Sequence, residues 1–176
     1  MKNLIFITLL TLLIGFTAQA QISEGLNYFS GQISYSSINS DSQSNEDNEE
    51  VYGAGLSYGH FLGEKTALGF SASFTQSDEL FVFGALAVRR YKPIDNKLYS
   101  FVEGYTGAAR LTDIGNQYFI GVRPGISYFL NEKWAIEATL GGISYSSFRY
   151  DDIEEKTTQF ELGLFNDLAF SLSIYY

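Results

Sequence analysis

The chain has 176 residues, a net charge of −9 with an isoelectric point near 4.5, and no cysteine. Without cysteine there are no disulfides, thiolate metal centres or cysteine-linked lipids, and the acidic balance argues against a nucleic-acid partner. Beyond the N-terminal segment no apolar run reaches the roughly 20 residues of a spanning helix, so a membrane-embedded form has to be a closed barrel.

Residues 1–20 have the layout of a cleaved secretory signal. Lys2 supplies the positive charge, Leu4 to Phe16 the apolar stretch, and Ala18-Gln19-Ala20 the small-x-small cleavage site. The expected organisation is a signal peptide over 1–20 and one β-barrel domain over 21–176. Seventeen Gly, 13 Tyr and 15 Phe against two Pro suit many strands joined by tight turns.

Eight strands are expected, at Tyr28–Ile38, Val51–Leu62, Thr66–Gln76, Leu80–Lys92, Leu98–Ala109, Gln117–Leu130, Trp134–Phe148 and Thr157–Tyr176. Short turns at Gly63–Lys65, Pro93–Lys97 and Asn131–Lys133 alternate with loops at Asn39–Glu50, Ser77–Glu79, Arg110–Asn116 and Arg149–Lys156. That alternation is the connectivity of an all-β, eight-stranded antiparallel up-and-down barrel with both termini on the turn side.

Successive side chains of a strand point to opposite faces. Tyr58, His60, Leu62, Leu68, Phe70, Phe74, Tyr118, Ile120, Val122, Ile126, Trp134 and Ile136 fall on the face assigned outward. Gly69, Ser71, Ser73, Gly121, Gly125, Ser127 and Thr139 fall inward, where a narrow barrel has room for small residues. The phase is kept if Leu62 pairs with Thr66 across the first turn. Pro124 cannot donate to a ladder, so a bulge is expected beside it. The last nine residues, LAFSLSIYY, place Leu168, Phe170, Leu172, Ile174 and Tyr176 on one face and small residues plus Tyr175 on the other. This ending resembles the C-terminal insertion signal of outer-membrane barrels.

The series Ser57-Tyr58-Gly59-His60-Phe61-Leu62, Ala67-Leu68-Gly69-Phe70, Ala87-Val88-Arg89-Arg90-Tyr91, Phe101-Val102-Glu103-Gly104 and Pro124-Gly125-Ile126-Ser127-Tyr128-Phe129-Leu130 resembles small outer-membrane barrels of the OmpA/OmpX/OmpW kind. The nearest likeness is to the "outer membrane protein beta-barrel domain" proteins of Bacteroidetes-type bacteria. The resemblance implies a Gram-negative outer-membrane location, insertion by the barrel-assembly machinery, and contact with outer-membrane lipid and lipopolysaccharide. Members of that family are often without an assigned activity; no cofactor and a monomer are expected.

Four charged residues lie mid-strand: Arg89, Glu103, Arg123 and Glu137. A charge facing lipid near the midplane costs about 2–4 kcal/mol, so all four are expected inside as a paired network. Glu103 shares its parity with Tyr99, Phe101 and Tyr105, and facing inward requires an odd-numbered turn near Pro93–Lys97 or a bulge. Such a network either plugs the lumen or gates a pore. His60 is the sole histidine, with no serine–acid arrangement to make it catalytic and no second ligand type for zinc.

The loop run DSQSNEDNEE (41–50) and the cluster Asp151, Asp152, Glu154 and Glu155 read as solvated acidic loops. Asp41, Asp47, Asp151 and Asp152 are the candidates for divalent-cation bridging to lipopolysaccharide. Three readings follow: a structural or surface-exposed barrel with a plugged lumen and no enzymatic activity, a narrow porin, or a soluble lipocalin-like carrier. The carrier requires apolar residues inside and polar ones outside, the reverse of the pattern here.

Overall fold

The alternation of large apolar and small polar residues produces one antiparallel sheet in the computed structural model of the chain, which describes residues 22–39, 48–76, 80–111, 114–151, 156–163 and 168–176. Its strands are β1 (Asn27–Asn39), β2 (Asn48–Gly63), β3 (Thr66–Gln76), β4 (Leu80–Pro93), β5 (Leu98–Leu111), β6 (Gly115–Phe129), β7 (Trp134–Thr139), β8 (Ile143–Tyr150), β9 (Lys156–Leu162) and β10 (Ala169–Tyr175). β7 and β8 are two halves of one stave, and so are β9 and β10. The result is an eight-stave barrel closed by β1 against β10. The expected signal segment lies outside the described residues, as do 40–47 of the first long loop.

Closure carries a stagger that can be read from the pairing. Tyr91 pairs with Phe101, then Gly125, Thr139, Ala169, Ser34, Gly53 and Thr75, and Thr75 pairs with Phe81. One circuit of the wall thus returns to β4 ten residues from its start. An even stagger keeps inward residues inward all the way round. At the seam, the N–H of Asn27 donates to the Tyr176 carbonyl at 2.8 Å and the N–H of Tyr176 donates back at 2.9 Å.

Three local features differ from the sequence-based expectation. Gly63, not Leu62, pairs with Thr66, so Leu62 is a bulge and the turn shortens to Glu64-Lys65. The bulge lets Phe61 and Ala67 point inward together, while His60 and Leu68 remain outward. The seventh strand is interrupted at 140–142 instead of running on to Phe148, and the expected eighth is represented by β9, ending at Leu162, and β10, beginning at Ala169. Pro124 explains the interruption. Its carbonyl accepts from the Leu140 N–H at 3.0 Å, and an antiparallel residue turns its N–H and C=O to the same neighbour. The missing N–H of Pro124 therefore faces the seventh strand, and the ladder skips there.

The outer face is apolar. Ile33, Leu56, Leu86, Val102, Ile120, Phe170 and Leu172 are all exposed, Ile33 at 74%. Patches of this extent on a soluble monomer are rare, and on a closed barrel they form a lipid-facing band. The buried core lies inside the barrel at the turn end. It contains Tyr28, Phe61, Tyr91, Phe101, Phe129 and Tyr175, with Ile22 packed against them. Ile22 reaches this position because the chain bends at Gly25, whose φ is +81° and whose N–H donates to the Phe61 carbonyl at 2.9 Å.

Glycine makes space for these rings. Tyr28 lies across from Gly59, Phe101 from Gly125, Tyr105 from Gly121 and Phe119 from Gly107, each pair in register on adjacent strands. A Cβ at Gly59 would overlap the Tyr28 ring, and one at Gly125 the Phe101 ring. The interior is therefore not uniformly small, as parity alone suggested; at these four positions an aromatic residue stands opposite a glycine. Gly59→Val should destabilise the barrel by about 1–3 kcal/mol, the usual cost of overpacking, read as a lowered urea midpoint in lipid vesicles. Gly84→Val is the control, since a Cβ there meets nothing within 4 Å.

Candidate functional site

The lumen holds the chemistry of this fold, and it is organised in layers. Above the aromatic layer sit the four mid-strand charges, brought to one level by the register. Arg89 on β4 pairs with Glu103 on β5, and Glu103 with Arg123 on β6. Glu137 on β7 approaches from the other side. Glu103 points inward because Pro93 pairs with Tyr99, which leaves the odd-numbered connection Ile94–Leu98. Its parity mates Phe101 and Tyr105 point inward with it.

Arg89 is the centre of the network. Its Nε donates to Glu103 Oε2, and its Nη1 donates to Glu137 Oε2 at 2.7 Å. Glu103 Oε1 accepts from Arg123 Nε at 2.7 Å, and Glu137 Oε1 accepts from the Tyr175 hydroxyl at 2.6 Å. Both oxygens of each carboxylate are thus engaged, which a buried carboxylate requires. The Arg89 guanidinium also lies 4.6 Å from the centre of the Phe101 ring and 5.4 Å from that of Tyr28, where ring faces attract a cation. Side-chain exposure is 7% for Arg89, 3% for Glu103 and zero for Glu137, against 30% for Arg123. Two cations and two anions cancel, so the layer carries no net charge. Each of its carboxylates is bound to at least one arginine.

Tyr175, Tyr91 and Tyr28 take part as well, although the sequence pattern did not single them out. The Tyr175 ring lies 4.8 Å from that of Phe129 and 5.7 Å from that of Tyr28. The signal was present: Tyr28 shares the parity of Ser30, Tyr91 that of Arg89, and Tyr175 that of Ser173, all inward positions.

The remaining candidates lie elsewhere. Leu168, Phe170, Leu172 and Tyr176 are exposed on the outer face, and Ile174 is half-exposed beside them. His60 is exposed near the first turn, with Nδ1 2.9 Å from Asn27 Oδ1, an oxygen that also accepts from the Tyr58 hydroxyl at 2.7 Å. Asp151 is held by Arg110 in a two-pronged pair, at 3.0 and 2.5 Å. Asp41, Asp47 and Asp152 lie outside the described residues. Among the described residues no cluster of His, Asp or Glu is arranged to hold a metal.

No protein-family model matches the chain, and no curated protein sequence matches it. Solved structures do resemble it. Neisserial surface protein A (NspA) superposes with a TM-score of 0.56 at 9% identity, covering 86% of this chain and 97% of its own. The outer membrane protein OprG from Pseudomonas aeruginosa gives 0.55 at 8% identity, covering 90% and 99% respectively. At these identities the likeness is one of fold: a small, closed, eight-stranded antiparallel barrel.

The two arginines should differ in their effect on stability. Arg89→Ala leaves the fully buried Glu137 without a cation and Glu103 with Arg123 alone, and should cost about 3–5 kcal/mol. Arg123 touches one carboxylate and is partly exposed, so Arg123→Ala should cost clearly less. Urea unfolding of both variants in lipid vesicles checks the order.

Proposed function

We propose that this chain is an integral outer-membrane barrel whose lumen is shut by its own side chains, and that its role is structural or surface-exposed and not catalytic. The observation supporting this is the double closure, in which the charge layer around Arg89 sits directly on the aromatic layer around Tyr175. An interior filled this way leaves no continuous water column at the narrowest level. The exposed apolar band places the barrel in lipid, the inverse of the polarity of a soluble carrier. The turn end then faces the periplasm and the acidic loops face outward, toward lipopolysaccharide. Barrel-assembly machinery would recognise the terminal strand through Leu168, Phe170, Leu172, Ile174 and Tyr176.

A narrow channel is the second reading, favoured by one specific feature. A cavity of about 310 Å³ reaches Arg89 from the loop side, and another of about 350 Å³ reaches Tyr91 from the turn side. Between them lie the charge layer and the aromatic layer beneath it. Planar-bilayer recording distinguishes the readings. The plugged barrel predicts negligible steady current for the wild type. A steady wild-type conductance would reject the plug in favour of the channel.

A further inference from the structure

Above the charge layer the lumen widens into the loop-side cavity of about 310 Å³. Its floor is made by Tyr28, Arg89, Glu103 and Arg123, and its walls by two chemically different surfaces. One wall is aromatic: Tyr105 and Phe119 lie 6.1 Å apart, and Phe119 and Phe83 6.5 Å apart, as ring centroids. The others carry hydroxyls and amides, with Ser57 on β2, Ser71 on β3, Ser144 on β8, and Gln32, Gln117 and Gln159 around them. None of these six polar side chains is hydrogen-bonded to another described residue, so their donors and acceptors are turned to whatever fills the cavity.

We propose that this vestibule is a binding site for one small, uncharged, polyhydroxylated molecule of the monosaccharide class. Three features select that chemistry. The volume lies at the lower end of the roughly 300–1,000 Å³ range of ligand pockets, enough for one sugar ring. The aromatic wall offers flat, weakly polar surface for the C–H face of such a ring. Serine and glutamine side chains both donate and accept, matching hydroxyls that do the same.

The charges argue against an ionic ligand. Arg123 is bound to Glu103 and lies 5.0 Å from the Tyr105 ring centre, while Arg89 is held between two carboxylates. An anion would meet Glu103 and Glu161, which also line the space. A cation would meet the partly exposed guanidinium of Arg123. This inference does not rest on whether the lumen conducts, because the floor residues hold the same positions in either reading.

Saturation-transfer NMR on the detergent-solubilised barrel tests it, with glucose, galactose and N-acetylglucosamine as probes. Irradiating the aromatic protons should carry saturation to the C–H protons of at least one sugar. Gln117→Leu and Phe119→Leu should each weaken its binding about fivefold, the effect of losing one hydrogen bond or one stacking contact. Tyr118→Leu, next in sequence but exposed on the outer face, should leave it unchanged. Heat-modifiable gel migration shows which variants are folded, and either lumen variant alone suffices. No saturation of any of the three sugars by the wild type would overturn the proposal. So would binding undiminished in a folded lumen variant, or displacement of the sugar by equimolar acetate, which would mark an anion site.

Discussion

One guanidinium between two carboxylates organises this barrel. Arg89 reaches from β4 to Glu103 on the adjacent strand and to Glu137 on the far side of the lumen. A charge in a space this dry persists only if paired and fully hydrogen-bonded. That requirement dictates the surroundings. Tyr175 supplies the last hydrogen bond to Glu137, Arg123 takes the remaining oxygen of Glu103, and the Phe101 and Tyr28 rings face the cation. The rings in turn need Gly125 and Gly59 opposite them. A chain of dependence thus runs from one arginine to glycines on two other strands.

The polarity of the fold is inverted relative to a soluble domain, and this changes what stabilises it. Lipid is as apolar as the outward Leu, Ile and Val, so packing them against it gains little of the driving force available in water. What has to be satisfied is the backbone ladder, through complete closure, and the interior polar groups, through pairing. Both conditions are met in the turn-side half, where β1 and β10 join and the charge layer sits. Pro124 and the interruption at 140–142 come just above that level. The loop-side half is correspondingly roomier, and the vestibule occupies it.

Much of this was legible in the sequence, because a two-residue period survives any detail of register. Strand count, outward and inward sets, and the inward placement of charged residues all follow from alternation and from the cost of charge in hydrocarbon. What alternation does not carry is pairing between strands. The Leu62 bulge depends on which of two neighbouring residues meets Thr66, which is a matter of register. The split of the seventh strand follows from the direction in which Pro124 would have donated, a property of register and not of composition. Phe61 and Phe129 were missed for the same reason, whereas Phe101 follows inward with Glu103 by shared parity. The room for Tyr28 and Phe101 appears only once Gly59 and Gly125 are placed across the ladder from them.

The central claim is that Arg89 and Glu137 act as a coupled pair across the lumen, and a double-mutant cycle measures that coupling directly. Arg89→Met, Glu137→Met and the double variant would be unfolded by urea in lipid vesicles and compared with the wild type. Coupling predicts strong non-additivity: each single variant strands a buried charge, while the double variant strands fewer and is more stable than the sum of the single losses requires, by about 1–3 kcal/mol. Additive losses within about 0.5 kcal/mol would show that the two side chains do not depend on each other, and the account of a lumen closed by this network would be wrong.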